Sequence, residues 1–152
     1  MKFVVILLVI FCPFFKKEQK YFELFEATYV EWVAGANGGG KGINYELKLQ
    51  IKSNNIAFDS AWVNESRILC EVAKGKARNY KKPILKGDTI IIRFTEAISD
   101  KSTDNKESTT EISKVSAPIK YEGKALISYY LNKKKHYYIV EKFEKKQAPY
   151  NK

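Results

Sequence analysis

From Ile43 to Lys52 the chain alternates without a break. Ile43, Tyr45, Leu47, Leu49 and Ile51 are apolar, and Asn44, Glu46, Lys48, Gln50 and Lys52 between them are polar. A period of two puts all the apolar side chains on one side of an extended backbone; a helix would scatter them around its axis. Such a strand belongs in an antiparallel sheet with one dry face and one wet face. The same period recurs along the chain. Thr28 to Ala34 places Val30, Trp32 and Ala34 on one face, and Ile56 to Val63 places Ile56, Phe58 and Trp62 together. Ile68, Cys70 and Val72 share a face, as do Ile90, Ile92 and Phe94. Ala125 to Leu131 and Tyr137 to Phe143 form a last pair.

Turn residues separate these runs: Gly35 to Gly42, Ser53-Asn54-Asn55, Asn64-Glu65-Ser66 and Lys86-Gly87-Asp88. Asn132-Lys133-Lys134-Lys135 joins the last pair as a hairpin. About seven strands with short turns and no helical pattern predict an all-β fold. The expected architecture is an immunoglobulin-like antiparallel β-sandwich, with a small β-barrel as the alternative. The Cys–Trp–Cys spacing of antibody domains is absent. The 152 residues, 45% of them hydrophobic, suffice for one packed domain. That domain is expected over residues 26–145, with 146–152 as a flexible tail.

Nine apolar residues, Phe3 to Phe11, precede Cys12 and follow Met1-Lys2. A bilayer span needs about 20 such residues, so the run suits the hydrophobic core of an export signal instead. A run of this kind ending at a single Cys resembles the signal of bacterial lipoproteins, in which the Cys becomes the lipid-bearing N-terminus. Residues 1–12 then form a signal and lipidation segment, with Cys12 as the lipidation site, and residues 13–25 a tether. Phe11 stands where that family usually has a small residue. An uncleaved anchor reaching Phe15 and a buried first strand are the alternatives.

Glycines 35 to 42 read G-x-x-x-x-G-K-G, one residue away from a phosphate-binding loop. Gly42 replaces the hydroxyl residue that would ligate Mg2+, and the alternation that follows predicts a strand where a phosphate loop needs a helix N-terminus. A hairpin connection is the expectation. Gly38, Gly39, Gly40 and Lys41 are kept as a weak ligand-binding candidate, because backbone without Cβ atoms can approach a ligand closely. Tyr130 and Tyr138 are a second weak candidate. In Tyr129-Tyr130 and Tyr137-Tyr138 one ring of each pair must face outward, and outward rings on neighbouring strands could offer a platform to a sugar or a protein. Cross-strand pairing that stabilises the hairpin is the structural alternative.

The formal charge is +10, from 27 Lys+Arg against 17 Asp+Glu. Only Arg67, Arg78 and Arg93 are arginines, and Arg is the side chain suited to phosphate and guanine recognition. The charge therefore reads as solubility, protection of sheet edges and attraction to anionic headgroups. Nucleic acid is not an expected partner, although nucleic-acid binding stays open as an alternative. Cys70 and the single His136 could act as a nucleophile–base pair only if the fold joined them. Residues 97–117 contain Asp100, Asp104, Asn105 and Glu107 but lack the spacing and Gly of a calcium loop, so a solvated loop is expected and no metal.

The stretch Glu31-Trp32-Val33-Ala34-Gly35-Ala36, Gly38-Gly39-Gly40, Gly42, Asn44-Tyr45, followed by Ile56 to Trp62, resembles a group of small envelope proteins of Bacteroidetes-type bacteria. Many members of that group start with a lipoprotein-like signal and end in a hairpin like Ala125 to Phe143. The resemblance implies an envelope location, membrane-anchored through Cys12 or secreted, and no activity or cofactor. The expected protein is a non-enzymatic binder of an unknown protein or glycan; a secreted enzyme or accessory module using the Gly-rich or long polar loop is the alternative.

Overall fold

The computed structural model describes residues 20–34, 40–98 and 115–147. Nine strands and no helix occur among them: β1 Phe22–Val33, β2 Lys41–Ile51, β3 Ile56–Val63, β4 Ser66–Leu69, β5 Glu71–Ala73, β6 Thr89–Ile98, β7 Ala125–Leu131, β8 Lys134–Val140 and β9 Glu144–Lys145. They form two sheets, ordered β5-β6-β2-β1-β9 and β4-β3-β7-β8, and neither closes into a barrel. Without the two-residue β9, the sheet β1-β2-β6-β5 faces β4-β3-β7-β8, the strand arrangement of an immunoglobulin-like sandwich. The expected fold class holds, with two more strands than counted from the alternation because β5 and β9 are short.

The alternation of β2 becomes the centre of the core. Tyr45, Leu47, Leu49 and Ile51 are buried, as are their neighbours Phe94, Ile92 and Ile90 on β6. From the other sheet come Ile56, Ala61, Val63, Ile127 and Tyr129. Each buried Leu or Ile contributes about 1.5–3 kcal/mol of transfer free energy relative to exposure. Two hairpins, β3–β4 and β7–β8, turn on two residues each, Asn64-Glu65 and Asn132-Lys133, all at positive φ. That is the turn whose twist matches paired strands, and Asn is among the residues that reach it at low cost.

Three expectations need correction, and two of the errors are bulges. Ile56, Phe58 and Trp62 do not share a face. The β3–β7 register shifts between Phe58 and Ala61, so Ile56 and Phe58 point inward while Trp62 sits across from Leu126 on the outer side. The first strand also starts earlier than the tether boundary at residue 25. Phe22 is buried, and a shift between Leu24 and Glu26 moves the inward set from Phe22 and Leu24 to Ala27 and Tyr29. An inserted residue flips the parity of everything after it, which hides a strand from a period-two search. Third, Ile68 to Val72 is not one strand. At Cys70 the chain leaves the four-stranded sheet for the five-stranded one, while Ile68 and Val72 both still face the interior.

Candidate functional site

A sandwich of two open sheets has four lateral edges, and unpaired strand edges invite pairing by other chains. Three of these edges are short: β9 has two residues, β5 three and β4 four. The fourth, β8, has seven. Lys134 and Lys135 guard its start, but Tyr137, Tyr138, Ile139 and Val140 carry no charge. Residues 141–143 then cross to the other sheet, where β9 runs parallel to β1 and covers it only at Thr28 and Tyr29. Among the described residues no strand pairs with the edge of β1 from Leu24 to Ala27, opposite β8. Between these two edges lies a cleft of about 520 Å3.

Both strands bring apolar side chains into the cleft, alongside charged ones. Leu24, Phe25 and Ala27 come from β1, and Tyr137 to Val140 from β8. Phe25 is the extra residue of the β1 bulge, which turns its ring outward to 53% exposure. Ile139 is also exposed. Tyr138 belongs to the inner layer and packs edge-on against Phe22 at 5.2 Å. Burial, and then the charge of Glu141, pushes its hydroxyl above the usual tyrosine range. Glu122, Glu141 and Glu144 sit at the margin with Lys142. Glu26 also borders the cleft, but its carboxylate is paired with Lys146 at 2.5 Å.

Tyr130 and Tyr138 do not make one platform. Tyr130 is paired with Lys135 and Tyr138 with Ile127, so the two rings lie on opposite faces of the sheet. Tyr130 is covered by the Lys135 ammonium at 5.4 Å. Tyr137, not Tyr138, shares its face. Of the glycine candidate, Gly38 and Gly39 lie outside the described residues. The carbonyl of Gly40 accepts the amide of Ala34 at 2.9 Å, which closes the β1–β2 hairpin, and Lys41 opens β2 between Val33 and Ile98. A strand follows the glycines, where a phosphate loop requires a helix. Cys12 and the acidic residues Asp100, Asp104 and Glu107, with Asn105, are likewise outside the described residues.

Cys70 and His136 lie at opposite edges of the sandwich. Asp59 on β3 accepts the Cys70 amide through its carbonyl, whereas His136 is on β8, beyond β7. Three strand spacings amount to roughly 14 Å, too far for a proton to pass between them. Burial, and then the charge of Asp59, pushes the Cys70 thiol far above its usual range. Among the described residues no three His, Cys, Asp or Glu side chains are grouped to hold a metal, and no helix is long and apolar enough to cross a membrane.

A polar network on the outer side of β3 was not legible in the sequence. The β3 bulge brings Asp59 and Ser60 onto Ser128 of β7, and both serines are fully buried. The Ser60 amide donates to Ser128 Oγ at 3.2 Å, and the Ser128 hydroxyl faces Asp59 Oδ2 at 3.0 Å. Lys135 Nζ reaches the same carboxylate oxygen at 3.3 Å, and Arg67 Nε donates to Ser60 Oγ at 3.0 Å. Burial alone would raise the Asp59 carboxyl, but hydrogen bonds from Ser128 and Lys135 and the charges of Lys135 and Arg67 hold it below the usual range. Ser128, Lys135 and Arg67 all turn onto Asp59 or Ser60, and the network fixes the bulge. A second hollow of about 280 Å3 lies over the five-stranded sheet beside Arg78 and Arg93, but Arg93 is held by Glu46 at 2.6 Å.

No family model, curated protein or solved structure matches the chain.

Proposed function

We propose that this chain is a non-enzymatic binding domain of the bacterial envelope, held by a lipid on Cys12 or secreted, and that it takes an extended segment of a partner into the cleft between β1 and β8. The seven-residue edge of β8, which no described strand covers, carries this reading. Folded proteins normally blunt long edges, and an edge whose last four residues carry no charge, beside a cleft with apolar side chains on both walls, has the geometry used for strand addition. The exposed rings and aliphatic tips of Phe25 and Ile139 flank that edge and give the incoming side chains something to pack against. The envelope location is supported by the apolar run before Cys12 and by the resemblance of the glycine-rich stretch to small envelope proteins.

The test is photocrosslinking in cells, with a photoreactive phenylalanine analogue at position 25 or 139 and a control at Leu69. Leu69 is more accessible than either, at 70% exposure, but lies on the opposite edge. The expected result is one discrete protein adduct from both cleft positions and none from 69. Equal labelling at all three positions, or none at 25 and 139, refutes the cleft as the site. The anchor has its own test: metabolic labelling with a clickable fatty acid should mark the wild type and miss Cys12→Ala.

A further inference from the structure

The sign of charge around the cleft is opposite to that of the chain. The whole sequence carries +10, yet the margin of the cleft holds Glu122, Glu141 and Glu144 against the single Lys142. Glu122 and Glu141 are exposed. Lys146, paired with Glu26, also acts on Glu144, which leaves Glu122 and Glu141 as the carboxylates open to a guest. We infer that the segment the cleft accepts is an extended cationic strand, in which Lys or Arg alternates with aliphatic or aromatic residues. This rests on the strand-addition reading of the cleft.

The geometry specifies each part. The free edge of β8 supplies main-chain donors and acceptors at a two-residue repeat. Leu24 and Phe25, with the inward-facing Tyr138, take every second side chain of the guest as an apolar contact, and Ile139 stands on the other face of β8. The remaining side chains point toward solvent at the margin, where the glutamates stand. A cationic guest gains from Glu122 and Glu141 without burying its charges, so the desolvation penalty is small and the effect falls with salt.

The experiment uses the full chain and four fluorescein-labelled octapeptides: alternating Lys–Val, Ser–Val and Glu–Val, and a Lys–Val peptide N-methylated at every second residue. Anisotropy titrations should rank Lys–Val first, about tenfold tighter than Ser–Val, with Glu–Val weakest. The Glu122→Gln/Glu141→Gln variant should lose most of that tenfold preference while binding Ser–Val unchanged, since both positions are exposed. Raising ionic strength from about 0.05 to 0.5 M should erase the same difference. Ser–Val binding as tightly as Lys–Val overturns the cationic guest and leaves strand addition standing. The N-methylated peptide binding as tightly as its parent overturns strand addition itself, and no binding by any peptide overturns both.

Discussion

Gly42 lies directly across the β1–β2 pair from Trp32, and the indole occupies the space a side chain at 42 would need. A Cβ there would come within 2.7 Å of Trp32 Cζ2 and 2.5 Å of the Glu96 carbonyl oxygen. The carbonyl belongs to β6, so neither obstacle can swing away cheaply. Gly42→Ala should cost about 1–3 kcal/mol, the range for overpacking a fitted site. Gly40→Ala should change little, because the space around it is open. Urea unfolding of the two variants checks this; equal midpoints would show that the indole is not seated on Gly42.

The pair also shows what the sequence could and could not convey. Gly42 reads as the end of a glycine loop, since a glycine run carries no sign of which member has entered a strand. The alternation from Ile43 gives the strand beside it without ambiguity, because nothing interrupts the parity there. Where a bulge intervenes, at Phe25 or at Asp59-Ser60, the same rule misplaces Trp62 and leaves Phe22 outside the domain. The edge cleft is harder still to foresee. It depends on which strands end each sheet, and on β9 stopping after two residues, and neither is a local property of the chain.

Ser128 is fully buried between two groups that need it. Ser128→Ala removes the acceptor of the Ser60 amide and the hydroxyl facing Asp59. A buried donor left unmatched costs about 1–3 kcal/mol, and the lost methyl-sized volume is negligible beside that. Denaturant unfolding should place the variant in this range. A loss below about 0.5 kcal/mol would mean that the amide finds another acceptor.

Asp59 links stability to acid. Its carboxyl is held below the ordinary value of 3.8 in the folded chain, so the stabilisation is complete above that value and is lost as pH falls through the depressed one. Asp88, held down by hydrogen bonds from Lys74 and the Leu85 amide, and Glu26, held down by Lys146, act in the same window and with the same sign. Melting temperature should therefore drop as pH is lowered from about 5 to 2, and Asp59→Asn should flatten part of that slope without removing it. A variant whose acid limb matches the wild type would show that Asp59 is not held down by its neighbours.

Cys70 should be inert in the folded chain. Burial and the nearby Asp59 carboxylate both disfavour the thiolate, which is the reactive species. In a Cys12→Ala chain, iodoacetamide at neutral pH should leave Cys70 unmodified until denaturant is added, as read by intact mass. Modification of the native chain at the rate of a free thiol would place Cys70 in a more open corner than the one between β4 and β5.

Phe22 and Phe25 are three residues apart and face opposite ways, Phe22 into the core and Phe25, the unpaired residue of the bulge, out of it. Phe22 is 1% exposed and meets the rings of Phe58, Tyr129 and Tyr138 at 5.2 to 5.6 Å. Truncating it to Ala should cost about 3–5 kcal/mol, a large share of the roughly 5–15 kcal/mol that holds a domain of this size. Phe25→Ala should cost less than about 0.5 kcal/mol, because the ring stands outside the core on the cleft margin. Comparable losses at both positions would show that the Phe25 ring is packed as Phe22 is, and that it does not stand on the cleft margin.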